Sequence, residues 1–357
     1  MSTKIETYAE VLFSIVICCF NSRNRIRPTL EHLAAQQFSD LARCELIIVD
    51  NNSSDGTGEF GRQIWTELGA PCLVRVVNEA RVGSAYAREA GAVAAARNNI
   101  VFVDDDNWLS GNWLAVAADI VQSVPNYGAF GGSIVPCYEK TPPAWVRHEE
   151  SVLACDVDPV LKLHELPRGS YLFSAGLVMR KEVYLCARNS FGPWLLAGRS
   201  GPTLAAGEDI ELCYRVQLLG LRLYRYGPLV LRHFIPIRRT SFSYFRKFAR
   251  DSAGHEWLLV AYRSRLQLND KTARIMARFS GNVHLAASVC IFRAAKNILD
   301  MVFSSLAWKY PRRYLLRFLG NWHQIVWLLR HHQEFHKTAE RIHHFPTFFP
   351  APNRVPQ

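Results

Sequence analysis

The sequence predicts an α/β fold: a mostly parallel sheet with helices on both faces, followed by a basic helical C-terminal region. Three observations predict it. Short β-branched runs alternate with helical stretches from Leu12 to Asp104, the pattern of strand, crossover helix and parallel strand. Acidic residues stand where those runs end, at the edge where an open α/β sheet binds its ligands. The charge is also divided: Arg232 to Arg341 holds 20 Lys/Arg against 6 Asp/Glu, whereas the first 231 residues sum to −4.

Each element has its own warrant. "LFSIVICCF" (Leu12 to Phe20) is apolar apart from Ser14, as a strand buried on both faces must be. "NSRNRIRPTLEHLAAQQ" reads as a helix with Leu30, Leu33 and Ala34 on one side. "CELIIVD" (Cys44 to Asp50) is a second strand that ends in the polar turn "NNSSDGTG". A helix over "EFGRQIWTEL", a third strand over "CLVRVV" (Cys72 to Val77), an Ala-rich helix over "SAYAREAGAVAAARN" and a fourth strand over "IVFVD" follow. Right-handed crossovers are the default for such a series. Residues 125–170 carry six prolines and read as loops with short strands. "SYLFSAGLVMRKEVY" reads as a strand running into a helix, "GEDIELCYRVQLLG" as a helix ending at Gly220, and "LRLYRYGPLVLRHF" as two short strands. From Tyr244 onward the pattern is helical, with a break at "PRR", residues 311–313. The boundaries expected are a catalytic domain over 1–240, a basic, aromatic-rich helical region over 241–345, and a Pro-rich tail over 346–357.

Composition excludes several classes. With 49% hydrophobic and 20% charged residues the chain can bury a large core, and it shows no low-complexity run or internal repeat. The nine cysteines are scattered without CxxC or zinc spacing, which predicts reduced thiols and a cytoplasmic setting. The opening residues lack a small-residue cleavage site, so no signal peptide is expected. The longest uncharged run of the apolar segment, Asn282 to Phe292, is too short to span a bilayer. The local excess of positive charge asks for an anionic partner. Interleaved Trp257, Phe279, Phe292, Phe303, Trp308, Tyr310, Tyr314, Phe318, Trp322 and Trp327 point to an anionic membrane surface, here the inner face, with peripheral rather than spanning attachment. The plainer reading is a subdomain that packs on the sheet or forms a dimer. No nucleic-acid motif is present, so no nucleic-acid partner is expected.

The chemistry concentrates at strand ends. Asp50 closes the second strand, and Asp104, Asp105 and Asp106 close the fourth. Adjacent carboxylates repel and become favourable around a cation, and hard oxygen donors suit Mg²⁺ or Mn²⁺ bridging to a diphosphate. "SIVICCFNSRNRI", "LIIVDNNSSDGTG", "ARVGSAYAREAGAVAAARNNIVFVDDDN" and "AGEDIELCYRVQLLG" occur in that order. Together they resemble the family 2 inverting, nucleotide-sugar-dependent glycosyltransferases of GT-A fold, over roughly residues 10–250.

That resemblance implies a GT-A-type sheet, a nucleoside-diphosphate sugar donor, a glycan or lipid-linked acceptor in polysaccharide or glycoconjugate synthesis, and a divalent ion. It implies that Phe20 and Asn21 line the nucleobase pocket, that Asp50 takes the base N–H with Asp55 beneath it, and that Arg88 faces the base and diphosphate. Asp104 and Asp106 match a D-x-D pair around Asp105, with Asp104 near the ribose and Asp106 on the metal. Glu208 and Asp209 match an E-D pair whose Asp is the general base, and His233 matches a further metal contact. Arg238 and Arg239 would clamp the diphosphate. Plainer readings accompany these: Asp50 as a turn cap, Glu208 and Asp209 as acids at a helix start, His233 as a partly buried histidine, and Arg238 and Arg239 as surface charge. Asn52 stands where many members have Gly, and Glu89 where Asn is common. No QxxRW-like element follows, which argues against a processive polymer synthase. The alternatives are a sugar nucleotidyltransferase, disfavoured by the Gly-free turn "NSRNRIRPTL", and a catalytically silent scaffold, disfavoured by the intact acids. A dehydrogenase lacks its GxGxxG.

Overall fold

The protein is described by a computed structural model covering residues 11–266 and 311–347, with Ile291, Ala295 and Leu299 between them. Expectations for residues 1–10, for Phe279, Phe292, Phe303, Trp308 and Tyr310, and for the tail beyond 347 lie outside the described residues.

The first half folds as its pattern predicts. β1 (Phe13–Cys19), β2 (Glu45–Asp50), β3 (Leu73–Asn78) and β4 (Asn99–Asp104) run parallel in the order β3-β2-β1-β4. α1 (Ile26–Ala34), α2 (Thr57–Glu67) and α3 (Ser84–Ala94) connect them. Alternate residues of the strands face opposite ways, so each face has its own core. Ile15, Ile17, Leu46 and Ile48 pack with Leu30, Leu33, Ile64 and Trp65 of α1 and α2. Val16, Ile47 and Val49 pack with Ala85, Ala87 and Ala92 of α3. α3 lies close on β1 because position 91 is glycine: a Cβ there would stand 2.3 Å from Val16 Cγ1.

Beyond β4 the sheet is mixed. β5 (Asn107–Leu109), α4 (Trp113–Ser123), β6 (Tyr127–Tyr138), β7 (His164–Glu165), β8 (Leu177–Arg180), α5 (Lys181–Phe191), α6 (Glu208–Leu218) and β9 (Arg222–Ile235) follow. The path continues β4-β8-β6-β9-β5, with β7 also on β9. β8 is antiparallel to β4 and to β6, β5 and β7 are antiparallel to β9, and β6 is parallel to β9. The parallel expectation therefore holds for the first four strands and for β6 beside β9, whereas β5, β7 and β8 join their neighbours antiparallel. Two local expectations also change. Residues 127–138, read as part of a stretch of loops with short strands, form one long strand carrying Pro136. Residues 222–235, read as two strands, form one strand with an irregularity between the pairs Gly131↔Arg225 and Ser133↔Val230. Gly132 makes room for it, since a Cβ there would stand 1.8 Å from Leu229 O.

The C-terminal part is helical: α7 (Phe242–Asp251), α8 (Ala253–Arg265) and α9 (Pro311–His343). Pro311 opens α9, as a proline at a first helical turn can. Trp257 and Val260 of α8 pack on Ile325, Leu328 and Phe335 of α9. Leu259 and Tyr262 of α8 pack on Leu196, Tyr214 and Leu218. The described part of the basic region is thus joined to the sheet domain by a continuous core. No described helix is long and apolar enough to cross a membrane.

Candidate active site

The strand ends bring the predicted acids to one crevice, and the three adjacent carboxylates diverge. Asn107 is fully buried, and its Oδ1 accepts from Asp104 N at 3.0 Å, which fixes the turn. From it each carboxylate meets a different arginine. Arg88 Nη2 lies 3.8 Å from Asp104. Arg25 donates to both oxygens of Asp105, from Nε at 2.9 Å and Nη2 at 2.7 Å, and Ser22 donates to it as well. Arg239 Nη1 donates to Asp106 at 3.0 Å. Burial pushes the Asp105 carboxyl up, as does Asp106, against the pull of Arg25. Burial would raise Asp106 too, but His233 and Arg239 hold it well below the usual carboxylate range. Asp105 is buried, and its ion pair with Arg25 ties β4 to the turn after β1.

The short return strand β5 explains why Asp106 meets His233. Asn107 pairs with His233 in the β5–β9 register, and Phe234 N donates to Asp106 O at 2.9 Å. His233 Nε2 then lies 3.3 Å from Asp106 Oδ1. That spacing is close to the ~3 Å edge two donors make around a hard divalent ion at ~2.1 Å. A carboxylate and an imidazole are donors that Mn²⁺ or Mg²⁺ accepts, so the pair fits such an ion. Among the described residues, no group of three or more His, Cys, Asp or Glu could hold it. The remaining positions suit water and phosphate oxygens. Arg239 Nη1 stands 3.2 Å from His233 Nε2 and 3.0 Å from Asp106 Oδ2, and so supplies the positive charge there.

On the other side of the crevice, Gly207 at φ 124° precedes α6, and the E-D pair occupies its first turn. The two acids have different surroundings. Glu208 is buried and accepts from Ser84 Oγ at 2.6 Å and Arg88 Nη1 at 2.9 Å. Burial opposes its charge, but Arg88 and Ser84 lower its pKa. Among the described residues, the bond that Asp209 accepts is a local one, from Ile210 N at 2.9 Å. Burial and the adjacent Glu208 charge push the Asp209 carboxyl up to about 7. Arg88 is itself buried and spans from Asp104 to Glu208, inside the protein rather than open to a ligand.

The turns after β1 and β2 are laced together. Asn21 and Asn52 both hold left-handed backbone, φ 50° and 63°, a conformation Asn tolerates better than most side chains. That accounts for Asn52 where Gly is common. Asn21 Oδ1 accepts from Ser54 N at 2.9 Å, and Asn21 N donates to Ser53 Oγ at 3.0 Å. Asp50 accepts from Ser53 N at 2.8 Å and Gly58 N at 3.0 Å. Asp55 accepts from Arg23 N and Thr57 N, both at 3.1 Å. Phe20 and Asn21 are exposed at the mouth of this turn. Arg238 is exposed, whereas Arg239 is buried, so the two do not form one clamp here. Arg25, Ser84 and Tyr244, whose hydroxyl lies 3.3 Å from Arg239 Nε, were not foreseen. Their partners lie on other elements, and no local spacing marks them.

Comparison with known proteins agrees with this geometry. Residues 14–184 match the family model described as glycosyl transferase family 2. A glucosyl-dolichyl phosphate glucuronosyltransferase of Haloferax volcanii is 24% identical over 242 residues, 66% of this chain and 74% of that protein. An uncharacterized glycosyltransferase of Bacillus subtilis, EpsJ, is 30% identical over 99 residues, 28% of this chain and 27% of that one. The chain thus spans about three quarters of the first relative's length and about a quarter of the second's. Among solved structures, the mannosyltransferase PcManGT of Pyrobaculum calidifontis, in complex with GDP-Man and Mn²⁺, shares the fold at a TM-score of 0.52 and 18% identity, over 88% of this chain and 86% of that one. With carboxylates at its strand ends and an architecture shared with a solved glycosyltransferase, the chain is similar over residues 14–184 to glycosyl transferase family 2.

Proposed function

We propose that the protein moves one sugar from a nucleoside-diphosphate sugar to a hydroxyl acceptor in a single inverting displacement. The observation that carries this reading is the division of labour at the start of α6. Arg88 and Ser84 fix Glu208 as an anion, and that anion, with burial, raises Asp209 to about 7. A carboxylate poised near neutrality can take the proton that an acceptor hydroxyl loses as it attacks the anomeric carbon, a contribution of typically 10² to 10⁴ in rate. Glu208 acts through Asp209 and keeps Arg88 in place. Asp106 and His233 would hold a Mg²⁺ or Mn²⁺, which when bound supplies positive charge to the departing diphosphate. Arg238, already exposed, and Arg239, once turned from Asp106, would meet the same diphosphate. Phe20, Asn21, Asp50 and Asp55 would border the base, with Asp104 on the ribose side.

The relative named for a dolichyl phosphate substrate and the neighbour holding GDP-Man and Mn²⁺ support a nucleotide-sugar donor, a divalent ion and a glycan or lipid-linked acceptor. The reading is tested with Asp209→Asn. Donor affinity stays within a few fold, and turnover falls by at least about 10². Retained turnover with lost donor affinity would make Asp209 a binding residue, and a product of retained anomeric configuration would exclude the single displacement.

A further inference from the structure

A cavity of about 490 Å³ lies between α7 and α9, and none of the carboxylates described above lines it. Ser243, Arg246, Lys247, Arg250, Leu319 and His323 line it. Its charge is unbalanced. Three cations stand within one and a half turns of α7, and among the described residues the only carboxylate paired with them is Asp251, which bonds Lys247 and Arg250. Asp251 also accepts from Leu204 N at 2.9 Å, so part of its charge is spent on the loop before α6. Arg246 is exposed and pairs with no carboxylate among the described residues. Burial lowers the pKa of His323, and Arg250 and Arg246 lower it further, as expected where cations crowd. Cations crowded around a hollow favour an anion of matching charge, and the fork of arginine suits phosphate oxygens.

An exposed apolar face borders the pocket. Leu319 belongs to the face of α9 that continues into Leu315, Trp322 and Leu329, which are 38%, 53% and 56% exposed. Their seven-residue spacing is two helical turns, so they form one apolar row. Arg312 and Arg330, both exposed, stand near its two ends. The opposite face of α9 is occupied, with Ile325, Leu328 and Phe335 buried on α8. A free phosphate would use the pocket and leave the row in water. A phosphate attached to apolar chains would use both.

We propose that this pocket and row form a docking site for a lipid phosphate at a bilayer surface. Arg246, Lys247 and Arg250 receive the phosphate, and Leu315, Trp322 and Leu329 sit among the chains. An interfacial helix with an apolar row and flanking cations binds in this way, by apolar burial together with attraction to anionic lipid. The site is separate from the sugar-transfer reading and stands or falls without it.

The test is flotation of the full chain with vesicles at physiological salt. Phosphatidylcholine vesicles carry either phosphatidic acid or oleate at matched surface charge. The native protein binds the phosphatidic acid vesicles at least ten-fold more tightly than the oleate vesicles. Arg246→Glu loses at least ten-fold, Arg246→Gln loses less, and Trp322→Ser loses several fold, with thermal unfolding unchanged in all three. Equal binding to the two vesicle types would show attraction to charge alone and overturn the proposal. So would undiminished binding by Arg246→Glu, absence of vesicle binding by the native chain, or saturable binding of inorganic phosphate without any preference for the lipid form.

Discussion

Glu208 and Asp209 are neighbours on the first turn of α6, yet only Glu208 meets Arg88, at 2.9 Å. The asymmetry makes a pH prediction. A base must be ionised, so kcat/KM rises with pH and levels off above about 7, the value that burial and Glu208 impose on Asp209. Glu208→Gln removes the repelling anion and frees Arg88 toward Asp209, and both changes favour the Asp209 anion. The rising limb therefore moves to lower pH, which a pH–rate profile measures; a limb that stays in place would detach Glu208 from this role. Stability runs the opposite way. The folded state holds the Asp209 proton more tightly than an unfolded chain, whose carboxyl titrates near ~4. Folding therefore weakens as pH rises from about 4 to about 7. Asp209→Asn lacks that slope and gains Tm relative to the native protein at pH above 7, as calorimetry across pH would show. The order of Asp104, Asp106, Asp209 and His233 was legible in the chain because each lies in a motif. The partners that make them different were not. Arg25 is 80 residues from Asp105 and Ser84 is 124 from Glu208, distances over which no pattern reports contact.

At the scale of elements, α6 is held by a second pair that takes no part in the proposed chemistry. Glu211 and Arg215 are fully buried and 2.7 Å apart. Glu211 also accepts from Leu195 N, Leu196 N and Tyr262 Oη, while Arg215 donates to Gly192 O and Pro193 O. The pair thereby fastens the 192–197 loop and α8 to α6. The same loop reaches α3, where Ala85 N donates to Ala197 O at 3.1 Å. Removing one partner strands the other without water, so Arg215→Ala costs about 3–5 kcal/mol, measured by urea unfolding. A loss below about 1 kcal/mol would mean that solvent reaches Glu211. The four parallel strands were readable because burial on both faces leaves a plain apolar run. β6 was not readable, because its Gly131, Gly132 and Pro136 carry the usual marks of a loop. Those residues are tolerated because β9 bulges against the glycines and β6 pairs through the irregularity.

For the whole molecule, the division of charge turns into contact as well as surface. Arg313 of α9 lies 2.6 Å from Glu149, and Arg341 donates to Phe191 O at 3.2 Å, so part of the basic region holds the helices on the acidic domain. Composition showed the asymmetry, but only packing separates these arginines from Arg246, which faces solvent. The crevice likewise joins elements from the whole chain. Since Asp106 and His233 offer only two donors and Arg239 lies against both, metal and diphosphate should bind together. Mn²⁺ affinity, followed by electron paramagnetic resonance, rises at least about ten-fold with the matching nucleoside diphosphate, and nucleotide affinity rises by the same factor, as linkage requires. Arg239→Ala raises Mn²⁺ affinity without nucleotide, whereas independent binding of the two ligands would refute the shared site. The most direct measurement is the stability of the native chain and of Asp106→Asn against a panel of nucleotide sugars, each with Mn²⁺ and with chelator. At one hundred times its Kd, a specific donor adds about 2.7 kcal/mol. That gain is expected for one donor, in the native chain, with Mn²⁺ only. Equal stabilisation in chelator or in Asp106→Asn, or no stabilisation by any nucleotide sugar, would contradict it.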